Sequence, residues 1–269
     1  MDLFTHRHHS YHSLDYRDIY VLHSLPKQEK ESETTSKKQI DVNTSRIAIT
    51  GALTEEIQEL LNYLQNHKEE HWNEITFHTG ELFGREVVIV KCGVGKVFAA
   101  LTTQKLIELY NPESLIFTGV AGALNPAFEI GDIVLANDCT QHDLDATGLG
   151  IPRGTVPYTN YRLFNCDKEL LKKALQTPSE HTIHTGRILT GDQFLTDSSG
   201  LDYLTSELKG DAVEMEGAAV GFVCTLNKIP FLIIRTISDK ADHSASVNFT
   251  EFVEEVSKNS LDVLRHLLS

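Results

Sequence analysis

Two short acidic clusters contain the residues of this chain that are best suited to proton chemistry. The first holds Glu214 and Glu216, and the second holds Asp239 and Asp242, directly after a run of apolar residues. Ligands of open α/β sheets bind at the carboxyl ends of the strands, so a carboxylate that follows a buried strand points to a ligand site. Together with a third carboxylate, Glu56, the clusters predict an enzyme that breaks a bond by proton transfer.

Each carboxylate also has an ordinary structural interpretation. Glu214 and Glu216 share a face in extended backbone, but at a helix start they would favour the positive end of the helix dipole, which weighs more for Glu214. Asp239 could cap a helix, and Arg235, four residues before it, could be its ion-pair partner. Glu56 lies in the first turn of a predicted helix. Taken together, at three predicted strand ends, the carboxylates are harder to explain by structure alone.

The elements that must position these residues alternate between strand, glycine-rich turn and helix. Strands are predicted at 46–50, 86–90, 115–117, 132–136 and 231–234, and helices at 54–66, from the turn at 93–95 to about 110, at 167–175 and at 249–268. Continuous apolar strands separated by helices predict an α/β fold, with a twisted, mixed but mostly parallel sheet flanked by helices in a single domain. The segment 140–165, rich in Gly, Pro and Tyr, is predicted as a long loop of functional importance.

Glycine-rich segments lie at 93–95 and at 118–122. Neither is a GxGxxG motif followed by a ribose-binding acid, and neither is a Walker loop, which disfavours dinucleotide and nucleoside triphosphate sites. Two interpretations stay open: the glycines let the backbone approach a small ligand closely, or they form plain strand-to-helix turns.

Composition narrows the choice of partners. The chain has 269 residues, a formal net charge of −14 and a pI of about 5.3, which disfavours nucleic acid and anionic membranes. The four cysteines show no zinc spacing and are predicted to be reduced, buried thiols, so no structural metal is expected. No apolar stretch is long enough to span a bilayer, and no convincing signal peptide is present, which predicts a cytoplasmic protein.

Residues 1–45 differ from the rest of the chain. Five histidines, at positions 6, 8, 9, 12 and 23, lie among Ser, Tyr and Arg, and a polar stretch follows. This composition predicts a disordered leader, which could bind a metal ion adventitiously, ahead of a catalytic domain at 46–269.

The motifs that contain these residues form an ordered series. They are Gly51-Ala52-Leu53-Thr54-Glu55-Glu56, Cys92-Gly93-Val94-Gly95-Lys96-Val97, Thr118-Gly119-Val120-Ala121-Gly122, Thr190-Gly191-Asp192-Gln193-Phe194, Val213-Glu214-Met215-Glu216 and Arg235-Thr236-Ile237-Ser238-Asp239. The series closely resembles bacterial 5′-methylthioadenosine/S-adenosylhomocysteine nucleosidases, of the purine nucleoside phosphorylase-like superfamily, and it covers about residues 46–269.

The resemblance implies a three-layer αβα nucleoside phosphorylase-like fold and a hydrolase. Its reaction would cleave the N9–C1′ bond of 5′-methylthioadenosine, S-adenosylhomocysteine and 5′-deoxyadenosine with water, releasing adenine and the thioribose in methionine salvage and purine nucleoside catabolism. No cofactor and no metal are implied. The enzyme would be a homodimer.

The resemblance also implies roles for the three carboxylates. Asp239 matches the general acid that protonates adenine N7, and Glu56 matches the carboxylate that positions and deprotonates the attacking water. Glu216 matches the residue that binds the ribose hydroxyls, because a carboxylate can accept two hydrogen bonds. The ribosyl group would become oxocarbenium-like, as in glycoside hydrolysis.

The other implied site residues surround the substrate. Met215 and Phe249 would pack against the ribose and its thio substituent. Phe194 would stack on adenine while the Leu195 backbone reads the base edge. The remaining implied residues are Ser238 and Arg235, which would orient Asp239, the loop residues Val120, Ala121 and Gly122, and Leu149, contributed by a second subunit.

One departure from the family pattern concerns Val120, at a position that is commonly Ser, and Ala123, at one that is commonly Gly. Val120 removes a hydroxyl near the water and Asp239, which puts rate or substrate preference in question.

Three alternatives remain. A purine nucleoside phosphorylase would need cationic side chains that bind phosphate, and a carboxylate at Glu56 would repel phosphate. Related hydrolases, such as futalosine hydrolase or AMP nucleosidase, are poorly separated by sequence. A non-enzymatic storage or binding homologue need not keep the three carboxylates together.

Overall fold

The computed structural model of the chain describes residues 46–196, 202–241 and 245–269. The predicted leader at 1–45 and Asp242 lie outside the described residues. The four cysteines are free and buried, as predicted from their spacing. None of the helices in the described ranges has the length and apolar character needed to cross a bilayer.

Ten strands and seven α-helices make up the described part of the chain. In order, they are β1 (Ile47–Gly51), α1 (Thr54–Tyr63), β2 (Gln65–Trp72), β3 (Ile75–Leu82), β4 (Arg85–Lys91), α2 (Lys96–Tyr110), β5 (Ser114–Ala123), β6 (Ile133–Gln141), β7 (Phe164–Asn165), α3 (Lys168–Ala174), β8 (Ile183–Thr190), α4 (Tyr203–Ser206), β9 (Ala212–Glu214), α5 (Gly217–Asn227), β10 (Phe231–Asp239), α6 (Ala245–Val256) and α7 (Leu261–Leu268). The segment predicted as a long loop contains a turn of 3₁₀ helix at Thr147–Leu149.

The strands form one mixed sheet in the order β10-β6-β8-β9-β5-β1-β4-β3-β2, with β7 on β6. Because β10 also pairs with β5, the strands β5, β9, β8, β6 and β10 close into a ring, and β1, β4, β3 and β2 extend from it. The pairings β1–β4, β1–β5, β5–β10, β6–β8 and β8–β9 are parallel. This mixed sheet with flanking helices confirms the predicted fold class.

The centre of the sheet is built from strands whose residues are all buried. Every residue of β1, β5 and β10 is buried, which explains their continuous apolar sequences. In the parallel pairing of β10 with β5, Ile233 lies beside Phe117, and a register shift after Ile237 brings Asp239 beside Gly122. The core strands therefore deliver Asp239 to the glycine-rich end of β5.

The predicted C-terminal helix at 249–268 is two helices, α6 and α7. Between them, side chains are committed to tertiary hydrogen bonds: Ser260 Oγ lies 2.8 Å from Thr118 Oγ1, and Asn259 Nδ2 donates to the Gly131 carbonyl at 3.0 Å. Ser257 Oγ also bonds back to the Val253 carbonyl. These contacts with β5 and its neighbourhood interrupt a helix that periodicity alone would continue.

Candidate active site

A pocket of about 280 Å³ opens where β1, β5, β9 and β10 end, at the low end of the range for small-molecule sites. It lies at the edge of the sheet that the sequence predicted. Its lining comprises Ala52, Leu53, Glu56, Val94, Val120, Ala121, Gly122, Gln193, Phe194, Leu195, Val213, Glu214, Met215, Glu216, Ser238, Asp239, Ala241 and Phe249.

Glu56 is held rigidly at the start of α1. Its Oε2 accepts hydrogen bonds from the backbone N–H groups of Ala52, at 2.6 Å, and Leu53, at 2.9 Å, and its Oε1 accepts from Val120 N–H at 3.0 Å. Burial raises the pKa of Glu56, against the charge of Arg235 and these three N–H donors, which lower it. The result is a fixed carboxylate that takes up a proton more readily than an exposed glutamate does.

The segment 118–122, predicted as a turn, is part of β5, and its glycines make room for the site carboxylates. A Cβ on Gly119 would lie 2.6 Å from Glu56 Oε1 and 2.9 Å from Arg235 Nη1. A Cβ on Gly122 would lie 2.7 Å from Asp239 Oδ1. The turn interpretation of these two glycines is therefore wrong, whereas close approach of a ligand to the backbone stays a prediction for Gly122, which lines the pocket.

Glu216 faces the start of α2 across the pocket. Its Oε1 accepts a hydrogen bond from Gly95 N–H at 2.8 Å, where the helix dipole favours negative charge. Burial, and next the charge of Glu214, raise the pKa of Glu216 to about 8. Gly95 is the residue before α2 and has φ 91°, so this turn does require glycine.

Glu214 has the structural role that its position before a helix suggested. Its Oε2 accepts hydrogen bonds from the N–H groups of Glu216, at 3.1 Å, and Gly217, at 2.7 Å, at the start of α5. It also accepts a hydrogen bond from Thr190 Oγ1. The same carboxylate is paired with Arg235, and both side chains are buried.

The predicted partnership of Arg235 with Asp239 is wrong in its choice of carboxylate. Arg235 Nη2 lies 2.6 Å from Glu214 Oε2, and its guanidinium stacks 3.9 Å from the centre of the Phe117 ring. Four residues of extended strand span about 13 Å, which separates Arg235 from Asp239, and Arg235 instead pairs with Glu214 at the end of β9. Arg235 lies beneath the pocket and does not line it.

Asp239 ends β10 and is oriented by its immediate neighbours. Its Oδ2 accepts a hydrogen bond from Ser238 Oγ at 2.8 Å, and its Oδ1 accepts from Ala241 N–H at 2.8 Å. Asp239 is 3% exposed and lines the pocket. The contact predicted between Ser238 and Asp239 is therefore present.

Apolar side chains complete the pocket wall. Phe194 and Phe249 meet edge to face, with ring centres 5.4 Å apart, and Met215 and Leu195 line the same cavity. Val120 lines it too, with the hydroxyl-free side chain that distinguishes it from the family pattern. Leu149, in contrast, is 69% exposed and does not line the pocket of its own chain.

Sequence reasoning missed a polar network that holds the Phe194 segment in place. Lys96 Nζ lies 2.6 Å from Asp143 Oδ1, and the Lys96 N–H donates to Asp192 Oδ1 at 2.8 Å. The Asp192 N–H donates in turn to Asp143 Oδ2 at 2.9 Å. The signal was present in two quoted motifs, which contain Lys96 and Asp192, but nothing in the sequence pairs them.

A protein-family model described as the phosphorylase superfamily matches residues 46–269. The chain belongs to the phosphorylase superfamily. Among curated members of the superfamily, it is 36% identical to a 5′-methylthioadenosine/S-adenosylhomocysteine nucleosidase from Geobacillus, over 83% of this chain and 98% of that protein. It is 40% identical to an aminodeoxyfutalosine nucleosidase from Campylobacter jejuni, over 80% of this chain and 94% of that protein.

Solved structures of the phosphorylase superfamily agree with this result. The nucleosidase of Colwellia psychrerythraea, crystallised in complex with adenine, superposes with a TM-score of 0.80 at 34% identity and covers 84% of this chain and 95% of its own. The resemblance drawn from the ordered motifs is therefore confirmed, since all three of these relatives are nucleosidases.

Proposed function

We propose that the protein hydrolyses the N9–C1′ bond of 5′-methylthioadenosine and S-adenosylhomocysteine, and of 5′-deoxyadenosine, with release of adenine. One observation carries the choice of hydrolysis: four carboxylates and no Lys, Arg or His lie among the described residues that line the pocket. Phosphorolysis would require a phosphate dianion to enter this negative site without a cation to receive it.

Different residues would act on the adenine base and on the ribose of the substrate. Asp239, oriented by Ser238, would donate a hydrogen bond or a proton to N7 of the leaving adenine. Phe194 would stack on the base, and the Leu195 backbone would read its edge. Glu216, already ordered by Gly95 N–H, would bind the ribose hydroxyls.

Glu56 would act on the attacking water. Both of its oxygens accept backbone hydrogen bonds, so its position is set before substrate arrives, and its raised pKa suits a group that must accept a proton near neutral pH. As the bond breaks, the ribosyl group gains positive charge. The carboxylate of Glu56 would stabilise that charge.

The working form would be a homodimer. Helix α2 exposes an apolar stripe at helical spacing, in which Val97 is 80% exposed and Leu101 is 51% exposed, and it begins beside the pocket residue Val94. A second copy covering this stripe would bring the partner subunit next to the 5′ end of the substrate. Exposed Leu149 would be the residue that completes the 5′-alkylthio pocket from the partner.

The dimer is tested by Leu101→Glu, which should produce a monomer in analytical ultracentrifugation and lose affinity for methylthioadenosine. Leu175→Glu is the matched control, since Leu175 is 48% exposed but lies at the end of α3. A dimer that survives Leu101→Glu would contradict this arrangement.

The substrate is tested by a base-release assay that detects adenine from methylthioadenosine, adenosylhomocysteine and aminodeoxyfutalosine, and hypoxanthine from inosine, each with and without phosphate. Phosphate-independent release from the first two is expected. The aminodeoxyfutalosine arm addresses the second candidate function, which the 40% identical Campylobacter relative favours. Absence of base release from every nucleoside would support a non-enzymatic role.

The cellular setting follows from the proposed substrates. The enzyme would serve methionine salvage and purine nucleoside catabolism in the cytoplasm. Four free, buried cysteines are compatible with a reducing compartment.

A further inference from the structure

A cluster of metal-ligating side chains lies on the hairpin of β2 and β3, at the opposite end of the strand order from β10. His67 and Glu69 both lie on β2, His67 at an irregularity in the pairing between Gln65 and Lys68. His78 on β3 is the direct cross-strand partner of Glu69. The register of an antiparallel pair thus collects three potential ligands that are distant in sequence.

The three ligand atoms have the spacing of a tetrahedral coordination sphere. His67 Nε2 lies 2.9 Å from His78 Nδ1, His78 Nδ1 lies 3.4 Å from Glu69 Oε1, and His67 Nε2 lies 3.7 Å from Glu69 Oε1. For bonds of about 2.05 Å to zinc, a tetrahedral site separates its ligands by about 3.3 Å. The three observed distances, from 2.9 to 3.7 Å, bracket this separation.

We propose that His67, Glu69 and His78 form a Zn²⁺ site that fastens the edge strand β2 to β3. Two imidazoles, one carboxylate and a water molecule are ligands that zinc accepts. The hydrogen bond between the two rings needs a proton on one of the facing nitrogens. Moving that proton to the other nitrogen of the same ring frees both lone pairs for the ion.

A metal link would stabilise a strand that has few other contacts with the protein. All residues of β2 except Trp72 are exposed, so β2 buries little apolar surface and is held mainly by backbone hydrogen bonds to β3. An exposed edge strand of this kind opens readily and offers unpaired backbone groups to other chains. An ion bound across the pair would oppose that opening.

The test uses the full chain, and measures amide hydrogen exchange by mass spectrometry in peptides from 65–82 during a Zn²⁺ titration. At a free Zn²⁺ concentration 100 times the half-saturating value, exchange should slow about 100-fold. This readout reports on the hairpin itself. His78→Asn and Glu69→Gln should abolish the protection, whereas His181→Asn, an exposed histidine outside the cluster, should retain it.

Cobalt provides a second measurement of the same site. Co²⁺ added to the full chain should give the intense visible absorption of a tetrahedral complex, and His78→Asn should remove it. Unchanged exchange at 65–82 in the parent protein, or equal protection in His78→Asn, would overturn the proposal. So would a weak, octahedral cobalt spectrum.

Discussion

Replacing Glu216 by Gln should make the protein more stable than the parent at alkaline pH, and it should weaken binding of the ribose. Burial and the charge of Glu214 raise the pKa of Glu216 to about 8, from 4.5 for an unperturbed glutamate. The native state therefore binds a proton on Glu216 that the unfolded chain has already released between these two pH values. Stability from this group is fully present below pH 4.5 and is lost as pH rises through 8.

The magnitude follows from the two pKa values. One pH unit over which the states differ by a full proton changes the free energy of unfolding by 1.36 kcal/mol. Between pH 5 and pH 8, with partial titration at both ends, the parent protein should lose about 3–4 kcal/mol through Glu216. Glu216→Gln carries no such proton, so its stability relative to the parent should rise by about that amount.

The assay is urea unfolding, followed by far-ultraviolet circular dichroism at pH 5 and pH 8. Glu214→Gln is a second probe: it removes the partner of Arg235 and should destabilise the protein by about 3–5 kcal/mol at pH 5. It should also lose less stability than the parent between pH 5 and pH 8, because the charge of Glu214 no longer raises the pKa of Glu216. If the stability difference between Glu216→Gln and the parent changes by less than about 1 kcal/mol over this range, Glu216 does not hold a proton in the native state.

The remaining predictions concern the reaction. Asp239→Asn should lower kcat for adenine release by about 10²–10⁴-fold with unchanged thermal unfolding, and near-parental turnover would exclude Asp239 as the general acid. Gly119→Ala should displace Glu56 and destabilise the protein by about 1–3 kcal/mol, because the new Cβ overlaps its carboxylate. Gly148→Ala, where nothing lies within 4 Å of the new Cβ, should change neither adenine release nor thermal unfolding. Lys96→Met should raise KM about tenfold, equivalent to about 1.4 kcal/mol, with kcat nearly unchanged. A fall in kcat alone would show that Lys96 does not act through the base-binding segment.

The local sequence was sufficient to predict buried strands and the carboxylates that follow them. The apolar runs predicted β1, β4, β5, β6 and β10, and the carboxylates Glu56 and Asp239 followed from their position after such runs. Strand β2 was missed because Gln65–Trp72 is polar, and only its pairing with β3 makes it extended. The break between α6 and α7 was missed for a similar reason, since it depends on contacts with distant segments.

The site was predictable in its members and less so in its internal partnerships. Which carboxylate receives Arg235 depends on the strand order, which places β9 between β5 and β8, and no sequence spacing encodes that arrangement. The use of Gly119 and Gly122 to admit side chains also requires the three-dimensional register of β5 with β10. The cross-strand partnership of His78 with Glu69 was invisible for the same reason.

The late position of β10 in the chain has a consequence for biosynthesis. This strand, buried along its whole length, inserts between β5 and β6 and carries Asp239 at its end. A ribosome delivers the N-terminal segments first. The space between β5 and β6 therefore stays unfilled until nearly all of the chain has been translated. Premature termination anywhere before Phe231 would leave both an unclosed ring and no Asp239. Such fragments would be inactive and prone to aggregation, while a complete chain would acquire its structure and its acid in the same step.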